Sequence, residues 1–397
     1  MSVAMDPQVP SYRDQRRPPP WRDVRVLRIV LQVAFLIAVG LLLWYLLGTL
    51  RTNLRNSGLP TGFDYLDQPH GTDIRDSDFN PAQPVLDALI VGFLNTIRVA
   101  VVGIALATLV GLVVGVARLS TNWLVRKAAA AYVETLRNIP VLVILLFLYT
   151  AVVLRFPPIS GAFEALGAVI FSNRGLVVPW AEGGPNVGAY LAVLGFALVA
   201  AVAIGVWRTR RFDATGQPHH RFLYGVVVLL VFGVLGYLAL GRPFAISLPT
   251  LDGRVSRGGI SLGPEYAALL IALVIYTASH IAEIVRGSIL AVPKGQTEAA
   301  NAIALTGLQR LRYVVLPQAM RVMVPPLGNQ YLNLTKNSSL AVFVGYFELT
   351  RLTGQVIANG NPAPQSISLL MLAYLALSLS IAAVTNLVNR SLRLETR

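Results

Sequence analysis

Long apolar stretches separated by short charged segments dominate the chain. A helix crosses a hydrocarbon core of about 30 Å with about 20 residues, and eight stretches reach that length. Apolar runs of this kind, with the charged residues confined to the segments between them, are typical of membrane-spanning helices. The pattern predicts spans at residues 28–50, 86–117, 136–154, 187–207, 222–241, 265–290, 321–346 and 366–389.

The seventh span is more polar than the others and contains Pro325 and Pro326. Polar side chains, and carbonyls freed by a proline, find no partners in lipid, so this span is expected to face protein or a wet cavity. Its polar side chains are expected either to line a substrate path or to form hydrogen bonds between helices. They are Asn329, Asn333, Lys336, Asn337, Ser338 and Ser339.

Basic residues are distributed unevenly between alternate loops. If the N-terminus lies inside, most of the 33 Lys and Arg residues fall in the inner segments. Positive charge favours the cytoplasmic side during insertion, so both termini are predicted to be cytoplasmic. Arg98 borders an uninterrupted apolar run, residues 99–117, and is therefore expected at the membrane interface and not in a pore.

The composition agrees with a membrane protein and excludes several other classes. Charged residues make up 13% of the chain and hydrophobic residues 55%, with a mean hydropathy of +0.62. A basic nucleic-acid-binding protein would carry many more charged residues, so nucleic acid is not an expected partner. There are no cysteines and the four histidines are scattered, so neither disulfides nor a metal site is expected.

The chain also lacks the phosphate-binding loop of an ATPase. A Walker A motif requires a glycine directly before its lysine, and none of Lys127, Lys294 and Lys336 follows a glycine. The chain is therefore not expected to be an enzyme or to bind a nucleotide itself.

Residues 292–318, between the sixth and seventh spans, predict a short exposed helix. Pro293 is expected to end the sixth span, and Thr297 is expected to cap the new helix with Glu298 in its first turn. Pro317 is expected to end the stretch that follows. The helix carries a face of small alanines, which lets another surface approach its backbone, so we interpret it as a docking element.

This segment resembles the cytoplasmic loop of ABC importer permeases, which follows the pattern E-A-A, three residues, G, nine residues, I-x-L-P. Glu298-Ala299-Ala300 and Leu316-Pro317 fall in register with it. The glycine position holds Ala304, and the break is expected from Gly307 instead. The resemblance implies a coupling helix seated in a groove of a separate ATPase, with the docking residues Glu298, Ala299, Ala300, Ala304, Gly307, Leu316 and Pro317.

Other stretches are similar to the polar amino-acid branch of these permeases, and within it to general L-amino-acid systems. One of them is Tyr132-Val133-Glu134-x-x-Arg137-x-x-Pro140, and another is Glu283-x-x-Arg286-Gly287. Each contains an acid and an arginine three residues apart, which can meet on one helix face. We expect Glu134 with Arg137, and Glu283 with Arg286, to form structural ion pairs, or alternatively a gate or a subunit contact.

The predicted fold is all-α and polytopic: a five-helix permease core, one N-terminal span and a two-span insertion. The resemblance covers the core alone. The expected organisation is a disordered cytoplasmic tail at residues 1–27, an extra span and outer loop at 28–84, core parts at 85–155 and 265–397, and the insertion at 156–264.

The resemblance implies a permease subunit of an ATP-driven importer in the bacterial inner membrane, taking amino acids from a periplasmic binding protein. Its expected partners are a second, homologous permease and two ABC ATPase subunits, which bind ATP and Mg²⁺, while this chain binds no cofactor. The alternative is an ion-coupled secondary amino-acid transporter. That class predicts intramembrane carboxylates and repeated halves, for which the sequence gives no signal.

Overall fold

The computed structural model describes Trp21 and residues 24–56, 58, 62–165, 167–215, 221–253 and 255–391. Most of the tail predicted at residues 1–27 therefore lies outside the described residues, and the first helix begins at Val24. The described chain forms twelve α-helices: α1 Val24–Asn56, α2 Val85–Ala117, α3 Trp123–Arg137, α4 Val141–Phe147, α5 Val187–Thr215, α6 Arg221–Ala239, α7 Pro264–Leu290, α8 Lys294–Ala302, α9 Gly307–Arg310, α10 Leu316–Asn337, α11 Leu349–Ala358 and α12 Ala363–Ser391.

The helices agree with a polytopic membrane protein of about eight spans. Five of them, α1, α2, α5, α7 and α12, are long and apolar enough to cross a bilayer. The pair α3 and α4 passes the same test together, and α6 is a shorter apolar helix. The eighth span is α10, whose polar residues were expected from the sequence. The predicted helical class is confirmed.

The third span begins later than predicted. The chain bends by 102° between α3 and α4, so no helix runs through residues 136–154. Pro140 lies at the bend; it lacks an N–H donor and keeps the residue before it out of the helical conformation. The membrane helix therefore starts at Val141 and continues through a π-helical turn, Leu148–Val152, and a 3₁₀ turn, Val153–Arg155.

The seventh span begins earlier than predicted, and Pro317 does not end the preceding stretch. The backbone stays helical from α9 through a π-helical turn, Leu311–Val315, into α10, and ends in a 3₁₀ segment, Ser338–Phe343. Pro317 lies in the first turn of α10. The wider π turn before it accommodates a residue that has no N–H donor, which explains why the helix continues.

The core is centred on α2 and α7, which run parallel. Glycines of α2 let the two backbones approach closely. A Cβ added to Gly111 would lie 2.5 Å from Cγ2 of Ile281, and one added to Gly115 would lie 2.7 Å from Cβ of Val285. We call the end of the bundle with the N-termini of α2 and α7 the outer end, and the end with their C-termini the inner end. Helices α4 and α10 complete this apolar core.

The insertion is richer in β-structure than the sequence indicated. Eight short strands lie in segments that had been interpreted only as loops. They form a four-stranded antiparallel sheet of order β1-β2-β3-β8 and the separate pairs β4-β5 and β6-β7. The strands are β1 Phe163–Ala165, β2 Val169–Ser172, β3 Gly175–Val178, β4 Trp180–Gly183, β5 Phe244–Ser247, β6 Thr250–Asp252, β7 Val255–Arg257 and β8 Ile260–Leu262.

Helices α5 and α6 form an antiparallel hairpin that packs mainly on itself, while β3 of the four-stranded sheet packs on α7. The hairpin adds two crossings between the first and second parts of the core. An even number of added crossings leaves the direction of every later helix unchanged, so α2 and α7 stay parallel with or without the insertion.

Candidate functional site

Helix α8 projects at the inner end directly after α7. Its N-terminal flank is Pro293, so the predicted cap at Thr297 is wrong: Thr297 lies inside the helix, where its hydroxyl donates to the carbonyl of Lys294. Of the E-A-A triplet, Glu298 and Ala299 are exposed and Ala300 is buried. The helix thus packs through one small residue, against the segment between α9 and α10, and presents the other two to solvent.

The turn after α8 occurs at Ala304, not at Gly307. Ala304 has φ 57°, and the N–H groups of Ala304 and Leu305 donate to the carbonyls of Asn301 and Ala300. This is the Schellman arrangement that ends many helices, in which glycine is the favoured residue at the left-handed position. The glycine position of the E-A-A pattern therefore keeps its turn here, with an alanine in a strained conformation.

Side-chain contacts hold the two arms of the segment together. The hydroxyl of Thr306 and the side chain of Gln309 form a reciprocal capping box at the start of α9. Arg310 donates to Oδ1 of Asn301 at 2.5 Å, which joins α9 to α8. Gly307 is the first residue of α9, and Leu316 and Pro317 begin α10. The predicted docking residues therefore lie on one braced helical unit.

Three exposed apolar residues of this unit were missed by the sequence analysis. Ile303, Leu308 and Tyr313 are 72%, 76% and 63% exposed. They lie outside the candidate spans, where exposed apolar side chains can form part of a docking surface. In the sequence, these residues are visible as apolar positions in the segment that connects the sixth and seventh spans.

A cluster of ionic side chains joins α2, α3 and α7 at the inner end. Arg286 donates to Glu283 at 2.6 Å, so this predicted pair forms. Glu134 instead lies 3.9 Å from Arg118, and within the described chain no ion pair joins it to Arg137. Arg118, which the sequence analysis missed, is only 13% exposed and also pairs with Glu283. The pairs therefore fix three helices together near the start of α8.

Part of the predicted polar set lines a cavity of about 190 Å³ between α7 and α10. Asn333, Lys336 and Asn337 belong to its wall. The sequence analysis missed the other lining residues, which come from α7 and α10. They are Tyr276, Thr277, His280 and Gln330. These side chains offer amide, hydroxyl, imidazole and ammonium groups, and the lining includes one positive charge and no carboxylate.

The other three predicted path residues lie elsewhere. Asn329 is exposed on α10. Ser338 is buried and donates to the carbonyl of Thr335, and Ser339 donates to the carbonyl of Lys336. The two serine hydroxyls therefore form hydrogen bonds with nearby backbone carbonyls, at the point where α10 changes to a 3₁₀ helix.

The chain belongs to the family of binding-protein-dependent transport system inner membrane components, whose match covers residues 103–394. It is thus a permease subunit of an ABC importer, an inner-membrane protein without enzymatic activity of its own. Its place in this family implies an ATPase and a binding protein as partners.

Three relatives match along nearly the whole chain. The general L-amino acid transport system permease protein AapQ of Rhizobium johnstonii is 36% identical, with 98% of this chain and 96% of AapQ covered. The putative amino-acid ABC transporter permease YhdX of Escherichia coli is 37% identical, with 92% and 93% covered. The glutamate/glutamine/aspartate/asparagine permease BztB of Rhodobacter capsulatus is 34% identical, with both chains covered fully.

Proposed function

We propose that this chain is one half of an importer for L-amino acids and works beside a second, homologous permease. Two ATPase subunits would bind ATP and Mg²⁺, and a periplasmic binding protein would deliver the substrate. The names of three full-length relatives support a broad amino-acid range that includes acidic and amide side chains. This chain would bind no nucleotide, since it lacks a Walker A lysine.

The observation that carries the proposal is the form of α8 and α9. A small, exposed face with Glu298 and Ala299 stands beside exposed apolar side chains, and hydrogen bonds brace the unit against α10. Such a unit can enter a groove of another subunit and pass a displacement to α7 and α10, since it is continuous with both helices. The ionic cluster at the end of α7 would carry that displacement to α2 and α3.

The cavity between α7 and α10 is our candidate for part of the substrate path. An amino acid presents a carboxylate, an ammonium group and a variable side chain. Lys336 brings a positive charge to the cavity wall, and the asparagines and His280 offer hydrogen bonds without a fixed negative charge. This chemistry suits neutral and acidic amino acids.

The proposed orientation places the inner end in the cytoplasm and the outer end in the periplasm. It rests on the excess of basic residues in the inner segments. Both termini would then be cytoplasmic, and α8 would face the compartment that contains ATP. The four-stranded sheet of the insertion would lie on the periplasmic side, where the binding protein approaches.

Reconstitution by omission tests the proposal. Proteoliposomes would receive this chain, the second permease, the ATPase and the binding protein, with labelled L-glutamine as substrate and ATP inside. We expect uptake only when all four components and ATP are present. Uptake that persists without the ATPase and follows an imposed proton or sodium gradient would contradict the proposal and support a secondary transporter.

Asn337 tests the substrate path separately. A carboxylate in place of its neutral amide would favour cationic substrates by direct charge attraction. In Asn337→Asp we expect the ratio of arginine to glutamine uptake to increase. Asn329→Asp is a matched control, because Asn329 lies on the same helix outside the cavity lining. An unchanged ratio in Asn337→Asp would remove Asn337 from the path.

A further inference from the structure

Three side chains meet where the first turn of α7 packs near the middle of α2: Arg98, Tyr266 and Tyr346. The guanidinium of Arg98 lies over the ring of Tyr266, 4.9 Å from its centroid. The ring centroids of Tyr266 and Tyr346 are 5.4 Å apart. Tyr266 is in the first turn of α7, so this group, which we call the outer subsite, lies at the mouth of the bundle.

The outer subsite lies far from the ionic cluster along α2. Arg98 and Arg118 are on the same helix, about 30 Å apart at 1.5 Å per residue, which is the thickness of a bilayer core. Since Arg118 belongs to the ionic cluster at the inner end, Arg98 lies on the outer side of the bundle, and α2 continues beyond it to Val85.

The charge of Arg98 is not neutralised within the protein. Among the described residues, Arg98 forms no ion pair, and the acidic side chains around it have other roles. Glu265 lies 3.7 Å from Arg75. Glu348 accepts hydrogen bonds from backbone N–H groups at the start of α11 and from a tyrosine hydroxyl. Asp76 is close to the N-terminus of α7, and it faces the subsite from the outer loop.

A second, independent feature is the hydroxyl of Tyr346. This residue is only 8% exposed, and its hydroxyl makes no hydrogen bond to any described residue. Buried hydroxyls are normally paired, because an unpaired one loses its hydrogen bonds to water without replacement. An unpaired hydroxyl beside a guanidinium that contacts Tyr266 but has no carboxylate partner among the described residues indicates an absent acceptor that carries negative charge.

We propose that the outer subsite takes the carboxylate of the amino acid as it leaves the binding protein, before the amino acid reaches the cavity at Lys336. This inference rests on the proposed function. A guanidinium and phenol hydroxyls are donors suited to a carboxylate. Tyr266 is buried between helices, so the charge of Arg98 faces the bundle interior and not lipid. The subsite and Lys336 would then form two successive cationic positions for the same group.

The first test is uptake into proteoliposomes at saturating liganded binding protein. We expect Arg98→Gln to lower the maximal rate at least about tenfold, the typical effect of losing a charge-assisted hydrogen bond. The concentration of binding protein at half-maximal rate should not change, because the variant alters capture and not docking. Arg98→Lys should recover part of the rate, and Asp76→Asn should equal or exceed wild type. Arg75→Gln is the control, since Arg75 is at the same mouth but 77% exposed.

The second test identifies the carboxylate itself. Saturation-transfer NMR on the purified complex without binding protein compares L-glutamine with its α-amide, which has no carboxylate. We expect transfer to L-glutamine, not to the amide, and loss of that transfer in Arg98→Gln but not in Arg75→Gln. Equal transfer to both compounds would overturn the proposal.

Two further results would also overturn it. If Arg98→Gln and Arg98→Lys both fail to assemble, Arg98 has a structural role. If the maximal rate of wild type and Arg98→Gln differs only when liposomes contain phosphatidylglycerol, the anion at Arg98 is a lipid phosphate. Failure of the proposed function itself would be distinguishable, because uptake by the wild-type complex would then be absent or would persist without the ATPase.

Discussion

Ala304 adopts the left-handed conformation that ends α8. In this conformation the Cβ of an alanine makes an unfavourable contact with the backbone. The turn is kept because two backbone hydrogen bonds of the Schellman arrangement fix it. The coupling unit therefore has its normal shape despite an unfavourable residue, and the strain is confined to one position.

Ala304→Gly should remove that strain. We expect it to raise the free energy of unfolding by about 1 kcal/mol, because glycine adopts this conformation without a Cβ contact. Thermal unfolding of the purified complex measures the effect. The control is Ala302→Gly, inside α8, which should destabilise by a similar amount through loss of helix propensity. Destabilisation by both glycines would contradict the turn at Ala304.

His70 is a buried residue of the outer loop, where burial lowers the pKa of its imidazole and the nearby Gln355 opposes the shift in part. Below the ordinary pKa of about 6.5 the unfolded loop binds a proton that the folded loop does not. The loop packing is thus fully stable above that pH and weakens as the pH falls below it.

Hydrogen exchange of residues 65–79 tests this dependence. The amide exchange rate of wild type is divided by that of His70→Gln. This ratio removes the intrinsic pH dependence of amide exchange, which is the same in both. We expect the ratio to increase as the pH falls from about 7.5 to about 5, since only the wild type has the imidazole. A ratio independent of pH would show that His70 does not control the loop.

At the scale of elements, the contact of α2 with α7 depends on the absence of side chains at Gly111 and Gly115. These two helices contain the ionic cluster at one end and the outer subsite at the other. Their separation therefore sets the geometry of both, and close glycine-mediated packing is a common way to fix two membrane helices.

Gly115→Ala should destabilise the complex by about 1–3 kcal/mol, the usual cost of forcing an extra group into a packed interface. The added Cβ would lie 2.7 Å from Cβ of Val285. The measurement is the thermal stability of the purified complex. Gly195→Ala on α5 is the control, because nothing lies within 4 Å of the added atom, and it should be neutral or slightly stabilising. Equal effects of both would argue against the close contact.

The sequence predicted the elements whose signal is a long apolar run and missed those whose signal is short. Eight spans were visible because about 20 apolar residues cannot stay in water. The bend at Pro140 was missed because a proline is tolerated in the first turn of a helix, so the predicted span began at residue 136, ahead of it. The strands of the insertion have three or four residues each, too few for a clear alternation of polar and apolar positions.

For the candidate site, sequence order located the coupling segment but not the partners that come from distant helices. Arg118 pairs with Glu283 across 165 positions, which no local spacing reveals. The lining residues of α7 face α10 only because of the helix packing. The roles of these residues as a docking surface, an ionic gate or a substrate path remain predictions to be tested by transport.

At the scale of the whole molecule, the α5–α6 hairpin is an addition that the core does not need for its own packing. Strands β3 and β8 pair antiparallel, and Val178 of β3 lies directly opposite Ile260 of β8. Replacing residues 179–259 with Asn-Gly would therefore close these strands with a two-residue hairpin turn and remove both added spans.

We expect this deletion variant to assemble with its partners and to retain uptake within about threefold of wild type, because the core helices keep their contacts and directions. Labelled amino-acid uptake, corrected for membrane abundance, measures it. Loss of uptake at normal abundance and with the ATPase still bound would show that the insertion takes part in transport, through the path or the binding protein.

We expect ATP hydrolysis in a separate subunit to drive amino-acid import through the exposed face of α8. The most direct measurement is labelled amino-acid uptake, with ATPase binding, in Glu298→Lys at unchanged membrane abundance. Glu182→Lys makes the same charge change at an exposed position of the insertion and is the control. We expect Glu298→Lys to lower uptake at least about tenfold, because it reverses a charge at a subunit interface, while the control transports normally. Normal uptake in Glu298→Lys, or uptake that needs no ATPase, would contradict it.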